Sequence, residues 1–287
     1  MAEQVFLNDA LVDANEAAVS ALDSGLLYGA GLFETMRAGN GVVFRLDDHL
    51  DRLFAGAEAL SVTIDQDRAY ITDAIYRVLE ANGLTDARLR LTATGGPMTP
   101  DPPQRRSTLL ISATTLVPYP DEYYRKGVVV ALSPYRQNPF DPTHGHKTTS
   151  YYSRLLALRK AHAVGAAEAI WFTVEGHLAE GCVSNVFLVR DGVLLTPPVD
   201  TPVLPGVARK AVCYLAGEHG VRLEQRRLTI DDCLAAEEMF LTNVIMQVMP
   251  VRSLEKHAIG KDKPGPITQM LREKFLEYVD DQCRKRP

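Results

Sequence analysis

Apolar residues in the first part of the chain follow two patterns, a helical repeat and short continuous runs. Five of them recur every three or four residues, the spacing of an amphipathic helix: Leu46, Leu50, Leu53, Ala57 and Leu60. A second helix is predicted over residues 66–82, because Asn82 and Gly83 end its pattern. Short apolar runs bounded by turn residues predict strands over 5–12, 42–46, 87–94 and 107–115. These elements predict a small α/β domain over residues 1–118.

A second set of elements follows a polar, aperiodic segment. Residues 119–127 fit neither the helical nor the strand period and are predicted to be an interdomain linker. Strands are predicted beyond it over 128–135, 168–174, 185–189 and 193–196. Helices are predicted over 149–163, 204–220 and 266–283. The chain is therefore expected to form a second, larger domain over residues 128–287.

Composition narrows the class of protein. With 287 residues, 46% hydrophobic, the chain is long enough for two packed cores, and its net charge of -5 argues against a nucleic-acid partner. Its four cysteines lack the spacing of a metal site or of a redox pair, which favours reduced thiols. The first residues do not resemble a signal peptide, and no apolar run approaches a membrane span. A soluble, cytoplasmic protein with no membrane partner is expected.

Lys147 and Glu180 carry the most specific chemical signal. A partly desolvated lysine can form a Schiff base with an aldehyde, and a buried carboxylate can keep a pyridine nitrogen protonated. Each residue alone has a commoner interpretation, a solvated lysine or an exposed acid in a turn. Tyr152 is expected on the same helix as Lys147, facing the cofactor or packed in the core. Together, Lys147 and Glu180 predict a pyridoxal phosphate site and no metal.

Several segments offer hydrogen-bond donors to a phosphate. Residues 204–209 (LPGVAR) precede a predicted helix, and the free N–H groups of a helix N-terminus bind anions. Thr242 supplies a hydroxyl after an apolar strand, and Ser184 and Asn185 could bond the phosphate or its loop. Arg52 could clamp the phosphate through two hydrogen bonds. A plain helix start, ordinary turn residues and a surface arginine remain the alternatives.

The chain resembles the class IV, or fold-type IV, pyridoxal-phosphate-dependent aminotransferases. This family includes branched-chain aminotransferases, D-amino-acid aminotransferases and aminodeoxychorismate lyase. The resemblance rests on six segments in a shared order: residues 24–38, 44–53, 146–157, 178–189, 204–209 and 238–251. It implies a mixed α/β fold with a small N-terminal α/β domain and a larger C-terminal domain, whose sheet core is β-barrel-like and flanked by helices.

The resemblance implies a role for each matching position. Lys147 would bind the aldehyde of pyridoxal 5'-phosphate and move a proton between the substrate Cα and the cofactor C4′. Glu180 would pair with the pyridine nitrogen. The other implied cofactor contacts are Arg52, Tyr152, Ser184, Asn185, Leu204, Val207, Ala208 and Thr242. The implied substrate contacts are Tyr28, Phe33, Arg90 and Thr94.

Two positions depart from the family pattern. Ala208 stands where many relatives have threonine, so one hydroxyl to the phosphate is expected to be missing. Cys182 replaces a more usual serine or threonine, and its thiol is expected to serve packing. Slightly weaker phosphate binding is therefore expected.

The substrate class is predicted from a few individual positions. Arg90 lies six residues before Gly96, as in branched-chain enzymes, although Arg88 stands where a tyrosine is common. D-amino-acid enzymes would have an arginine at Thr94 and a histidine shortly afterwards, and residues 91–103 contain no histidine. Residues 238–251 resemble aminodeoxychorismate lyases, but Tyr152 is typical of branched-chain enzymes. We expect amino transfer between a branched-chain-like or other small apolar amino acid and a 2-oxo acid.

The remaining expectations concern the oligomeric state and two alternative functions. The resemblance implies a homodimer with its active site between the two domains, near the subunit interface. A protein that kept the fold without the chemistry is an alternative, which Lys147 and Glu180 together oppose. A metal hydrolase built on His144 and His146 is a weaker alternative, because no third ligand lies nearby in the sequence.

Overall fold

The structure, a computed structural model, describes residues 3–97 and 107–284 and divides into two compact units. The first unit contains the chain up to Val117, the segment His146–Tyr151 and the end of the chain from Val279. The second unit contains Pro118–Gly145 and Tyr152–Tyr278. Lys147 therefore belongs to the first unit and Glu180 to the second.

The described residues of the first unit form one antiparallel sheet with helices. Its strands are β1 Gln4–Leu7, β2 Ala10–Asp13, β3 Gly31–Gly39, β4 Val42–Val43, β5 Ala87–Thr94 and β6 Thr108–Thr115. Its helices are α1 Ser24–Tyr28, α2 Leu46–Ala59 and α3 Arg68–Ala81. The strand order is β2-β1-β6-β5-β3-β4, and β3 pairs with β5 over most of its length.

Helices α2 and α3 bury their apolar faces in the core of this unit. Leu50 and Leu53 of α2 and Ile71 and Ile75 of α3 are almost completely buried there, as the helical period predicts. The Asp67 carboxylate accepts a hydrogen bond from the α3 backbone and caps that helix. Burial of two amphipathic faces therefore fixes the sheet that carries β3.

The segment His146–Tyr151 pairs with the start of β3. Phe33 N–H donates to the Lys147 carbonyl at 2.8 Å, and Thr149 N–H donates to the Gly31 carbonyl at 2.8 Å. Leu32 and Thr148 form an isolated antiparallel bridge. Backbone hydrogen bonds therefore hold Lys147 at the edge of the first unit's sheet.

The second unit contains a larger mixed sheet among its described residues. Its strands are β7 Val128–Gln137, β8 Glu168–Thr173, β9 Leu178–Gly181, β10 Asn185–Arg190, β11 Val193–Thr196, β12 Leu223–Gln225, β13 Glu238–Asn243, β14 Gln247–Leu254 and β15 His257–Ala258. The helices are α4 Asp121–Lys126, α5 Tyr152–Ala163, α6 Val207–Glu218, α7 Ile230–Leu234 and α8 Pro266–Gln282, whose last turn passes into the first unit. The strand order is β12-β11-β10-β13-β14-β7-β8-β9, with β15 on β14.

This larger sheet must curl back on itself. Strands β9 and β10 lie five positions apart in the sheet order, or roughly 24 Å in a flat sheet. Only residues 182–184 connect them, and four Cα steps span at most about 15 Å. The short connection therefore requires a curved, half-barrel sheet, and the predictions of a mixed α/β fold and a barrel-like core are confirmed.

The structure corrects several predicted elements. Residues 5–12 form a hairpin of two strands, because Asn8 turns the chain with φ 58°. The predicted linker contains helix α4, and α5 begins only at Tyr152 because the preceding residues pair with β3. Glu180 lies within β9, not in a turn. Strand β3 was not predicted because it contains a buried glutamate, Glu34, and does not alternate between apolar and polar residues.

Among the described residues, no helix is both long enough and apolar enough to cross a membrane.

Candidate active site

Lys147 lies beside Phe33 in the first unit. Its Nζ atom lies 4.5 Å from the centroid of the Phe33 ring. Arg90 Cζ lies 3.4 Å from the same centroid, and the Tyr151 ring meets Phe33 edge-on at 5.3 Å between centroids. Phe33 itself is buried. The structure therefore brings two predicted substrate residues, Phe33 and Arg90, to the predicted catalytic lysine.

A buried cluster of charged residues joins β3 to α2 in the same unit. The Glu34 carboxylate accepts hydrogen bonds from Arg52 Nε at 2.8 Å and Arg52 Nη2 at 2.5 Å. His49 Nδ1 lies 2.7 Å from Glu34 Oε2. Burial alone would raise the pKa of Glu34, but the Arg52 cation and the His49 hydrogen bond outweigh it and lower that pKa to about 2. Glu34 is therefore a stable carboxylate that holds Arg52.

His49 is completely buried within this cluster. Burial lowers its pKa, although the hydrogen bond and charge of Glu34 oppose that shift. The cations of Arg52 and Lys147 lower the pKa further. Its Nε2 atom has no hydrogen-bond partner among the described residues. Burial and the neighbouring cations therefore favour the neutral form of His49 beside Glu34.

Arg90, Thr94 and Tyr28 have different surroundings. Arg90 remains exposed, but partial burial and the repulsion of Arg88 lower its pKa to about 10. The Thr94 hydroxyl donates to Asp23 at 2.8 Å, so it supports the N-cap residue of α1. Tyr28 ends α1 and is 68% exposed.

Residues 98–103, which belong to the stretch used against a D-amino-acid enzyme, lie outside the described residues.

Glu180 lies in the second unit and is held from two sides. Its side chain is 4% exposed. Arg154 Nη2 donates to Glu180 Oε1 at 2.5 Å, and the Leu204 amide donates to Glu180 Oε2 at 2.9 Å. The Leu204 carbonyl accepts a hydrogen bond from Asn185 Nδ2 at 2.9 Å. The structure therefore brings together three predicted cofactor residues, Glu180, Leu204 and Asn185.

The turn after Glu180 is organised by a second buried carboxylate, Glu168 of β8. Glu168 accepts hydrogen bonds from the amides of Cys182 and Val183 at 3.0 and 3.2 Å. It also accepts one from the Ser184 hydroxyl at 3.1 Å. Ser184, a predicted cofactor contact, is therefore engaged with Glu168. Cys182 packs against Trp171, and burial raises the pKa of its thiol to about 12, which agrees with a packing role.

Three of the predicted phosphate donors, Val207, Ala208 and Thr242, belong to α6 and the strand β13 that contacts it. Val207 and Ala208 are the first residues of α6, and its N-cap residue, Gly206, provides no side chain to cap their amides. Thr242 and Asn185 are direct partners in the β10–β13 register, so their side chains share a face of the sheet. The Thr242 hydroxyl is buried and has no hydrogen-bond partner among the described residues. Helix amides and a hydroxyl without a partner together form a donor set suited to an anion.

Tyr152 does not share a helix with Lys147. Tyr152 is the first residue of α5, is 65% exposed and belongs to a different unit from Lys147. The prediction that Lys147 and Tyr152 lie on one helix is wrong, because His146–Tyr151 extends along β3.

His144 Nδ1 lies 2.7 Å from the Asn138 carbonyl. In the described part of the chain, no cluster of three metal-binding side chains accompanies His144 or His146.

Four residues that lie in or beside the candidate site were not predicted from the sequence. Glu34 and His49 belong to segments 24–38 and 44–53, but a glutamate in a strand and a histidine in a helix have no local signal. Arg154 and Glu168 reach Glu180 and its turn from distant positions in the sequence. Only the need of a buried carboxylate for a partner could have indicated that such residues exist.

Comparison with known proteins identifies the family. Residues 31–254 match the family described as amino-transferase class IV. The putative branched-chain-amino-acid aminotransferase of Methanocaldococcus jannaschii is 35% identical over 96% of both chains. The D-alanine aminotransferase of Bacillus licheniformis is 30% identical over 98% of this chain and 99% of its own.

Solved structures share the fold over almost the whole chain. The branched-chain amino acid aminotransferase of T.th., solved with pyridoxamine 5'-phosphate, has a TM-score of 0.91 and 31% identity, covering 100% of this chain and 96% of its own. The 4-amino-4-deoxychorismate lyase of Pseudomonas aeruginosa has a TM-score of 0.85 and 27% identity, covering 95% and 98%. These matches confirm the predicted transaminase and its pyridoxal phosphate cofactor. The chain belongs to the class IV aminotransferase family.

Proposed function

We propose that this transaminase moves an amino group between a branched-chain or similar apolar amino acid and a 2-oxo acid. The observation that carries the substrate class is the buried Phe33 ring, 4.5 Å from Lys147 Nζ. An apolar ring beside the reacting amine favours an apolar side chain on the substrate carbon. The relatives named as branched-chain aminotransferases support the same substrate class.

The residues of the second unit fit the cofactor. Pyridoxal phosphate supplies an aldehyde that binds amines and a protonated ring that withdraws electrons from the substrate Cα. Its phosphate needs hydrogen-bond donors, and its ring nitrogen needs a carboxylate. The uncapped start of α6 and the buried hydroxyl of Thr242 meet the first requirement. The buried Glu180 meets the second.

Lys147 is the proposed catalytic residue. Its amine would hold the cofactor aldehyde and, when it is free, would accept the proton that leaves the substrate Cα. Backbone pairing of its segment with β3 fixes the main chain from which the amine extends. Positioning of a catalytic group can contribute several orders of magnitude to the rate.

Glu180, Leu204 and the α6 amides are the proposed cofactor contacts in the second unit. Glu180 holds a proton on the ring nitrogen, and Leu204 packs on the ring. The amides of Val207 and Ala208 and the hydroxyl of Thr242 bind the phosphate, while Ser184 and Asn185 shape the adjoining loops through the contacts described above. Tyr152 is proposed to reach the ring oxygen.

Arg52 and Arg90 are the proposed cationic contacts of the first unit. Arg52 is presented on Glu34, which fixes its guanidinium before any phosphate binds. Arg90 is proposed to bind the substrate carboxylate, and its contact with Phe33 orients it. Tyr28 lines the substrate side, and Thr94 supports α1 through Asp23.

Two related activities are the alternatives. The similarity to a 4-amino-4-deoxychorismate lyase structure and the sequence of residues 238–251 favour release of pyruvate from aminodeoxychorismate. The D-alanine aminotransferase relative favours a D-amino acid donor. The three activities use the same cofactor and differ in the product that is released.

One set of half-reactions separates these activities. Holoenzyme is mixed with L-leucine, D-alanine or aminodeoxychorismate, and the cofactor absorbance and the released product are followed. Loss of the visible band with L-leucine, with release of the matching 2-oxo acid, is the expected result. Pyruvate released from aminodeoxychorismate without loss of the band would establish the lyase instead. Faster conversion of D-alanine would establish a D-amino-acid enzyme.

A homodimer in the cytoplasm is also part of the proposal. Leu26, Leu27 and Tyr28 of α1 are 48 to 68% exposed, an apolar surface of the kind that a second copy covers. Sedimentation equilibrium would distinguish a dimer, the expected result, from a monomer.

A further inference from the structure

Arg154 is the cation that meets the candidate ring-nitrogen carboxylate. It lies in the first turn of α5, and its side chain is 16% exposed. Its Nη2 atom donates to Glu180 Oε1 at 2.5 Å, and its Nη1 atom donates to the Gly181 carbonyl at 3.0 Å. One guanidinium therefore holds both the carboxylate and the backbone of the residue after it.

Gln137 of β7 completes this contact. With its amide oxygen towards Arg154, that oxygen accepts from Arg154 Nη2 at 2.5 Å and the amide nitrogen donates to the Pro202 carbonyl at 2.9 Å. In the reverse orientation the amide nitrogen would donate to Glu180 Oε1 at 3.3 Å but would also lie 2.5 Å from a second donor, Arg154 Nη2, so the first orientation is favoured. Gln137 is buried, and it restricts Arg154 to the geometry that reaches Glu180.

The contact with Arg154 leaves the Glu180 carboxylate able to accept a further hydrogen bond. A carboxylate oxygen has two lone-pair sites. Arg154 Nη2 occupies one site on Oε1, and the Leu204 amide occupies one on Oε2. The carboxylate is thus oriented by two donors from different elements and can still accept a further N–H.

We propose that Arg154 is a positioning residue for the ring-nitrogen contact, which orients the Glu180 carboxylate. This inference rests on the proposed role of Glu180. Arg154 holds one carboxylate oxygen and the Leu204 amide holds the other, so removing the guanidinium releases one oxygen and lets the carboxylate turn away from the ring nitrogen. Arg154 and Glu180 therefore act on the cofactor as one unit.

A double-mutant cycle on the holoenzyme tests this coupling. The variants are R154Q, E180Q and R154Q/E180Q, and glutamine is chosen at position 154 because it keeps a donor while removing the charge. R125Q is the matched control, since Arg125 is an exposed arginine of α4 in the same unit. The readouts are the visible absorbance band of the bound cofactor and the Kd of pyridoxal phosphate.

If Arg154 and Glu180 act together, their single and double variants change the cofactor band and the Kd in a specific pattern. E180Q is expected to shift the cofactor band and to weaken binding about tenfold or more, and R154Q is expected to change both in the same direction. The double variant is expected to bind the cofactor within about twofold of the weaker single variant. R154K, which restores a charged donor, is expected to recover most of the wild-type band, and R125Q is expected to match wild type.

Other outcomes separate two kinds of failure. If E180Q changes the band but R154Q does not, or if the two effects on Kd multiply, the role of Arg154 is refuted while that of Glu180 stands. If E180Q itself leaves the band and the Kd unchanged, the proposed role of Glu180 fails, and the inference about Arg154 fails with it.

Discussion

Glu34 in the first unit and Glu168 in the second are both about 1% exposed, yet their surroundings shift the pKa in opposite directions. Burial raises the pKa of Glu168, and hydrogen bonds from backbone amides and Ser184 offset this only in part. Burial also acts on Glu34, but the Arg52 cation and His49 lower its pKa to about 2. The difference shows that a cation in contact, more than the number of hydrogen bonds, stabilises a buried carboxylate here.

Replacing Glu34 is the most disruptive way to test this comparison. E34Q removes the counter-charge of the partly buried Arg52, so the free energy of unfolding is expected to fall by about 3 kcal/mol near pH 7. Denaturant unfolding of the holoenzyme measures the change. E58Q, an exposed glutamate of α2, is the control and is expected to behave as wild type. A loss below about 1 kcal/mol would contradict the role of the cation.

The same cluster predicts a dependence on pH. Because the pKa of Glu34 falls from an ordinary 4.5 to about 2 in the folded protein, its contribution is complete above pH 4.5 and is lost as the pH falls towards 2. The shift corresponds to about 3 kcal/mol. The difference in stability between wild type and E34Q is therefore expected to shrink across this window. A difference that stays constant from about pH 6 to about pH 3 would show that Glu34 does not carry the effect.

Thr242 extends the comparison to a buried polar group with no partner among the described residues. T242V keeps the shape and removes the hydroxyl, so protein stability is expected to stay unchanged, whereas the Kd for pyridoxal phosphate rises about tenfold. T268V is the matched control, because the Thr268 hydroxyl is also buried without a partner in the described part of the chain. Equal cofactor affinity in T242V and wild type would exclude Thr242 from the phosphate contact.

Replacing Glu168 gives the smallest expected effect. E168Q removes a charge that burial disfavours but leaves Val183 N–H without a good acceptor, so these opposing changes nearly cancel. The free energy of unfolding is expected to change by no more than about 1 kcal/mol. E175Q, an exposed glutamate, provides the baseline for the same chemical change. A loss as large as that of E34Q would show that neutral donors stabilise a carboxylate as well as a cation does.

The sequence predicts what depends on neighbours along the chain. The repeat from Leu46 to Leu60 and the Asn82-Gly83 stop indicated α2 and α3 nearly to the residue. The predicted strands over 185–189 and 193–196 likewise form a hairpin, β10 and β11, around Asp191 and Gly192, because a turn is set by its own residues.

What the sequence could not indicate depends on pairings between distant residues. The pairing of His146–Tyr151 with β3 delays α5 until Tyr152, and nothing within that segment signals a strand partner. The same holds for the site. Glu180 was recognised, but Arg154 reaches it from α5, and Gln137 reaches Arg154 from β7, which β8 separates from β9 in the sheet. Local pattern therefore indicated candidate residues, and tertiary packing decides which side chains hold them.

Reduction of the holoenzyme with borohydride tests the central claim most directly, because it fixes the cofactor permanently to the amine that holds it. Proteolysis and mass spectrometry are expected to find the pyridoxyl group on Lys147. K147A is expected to yield no labelled peptide and no amino transfer, while K160A, on α5, behaves as wild type. A label on another lysine, or full turnover by K147A, would contradict the account.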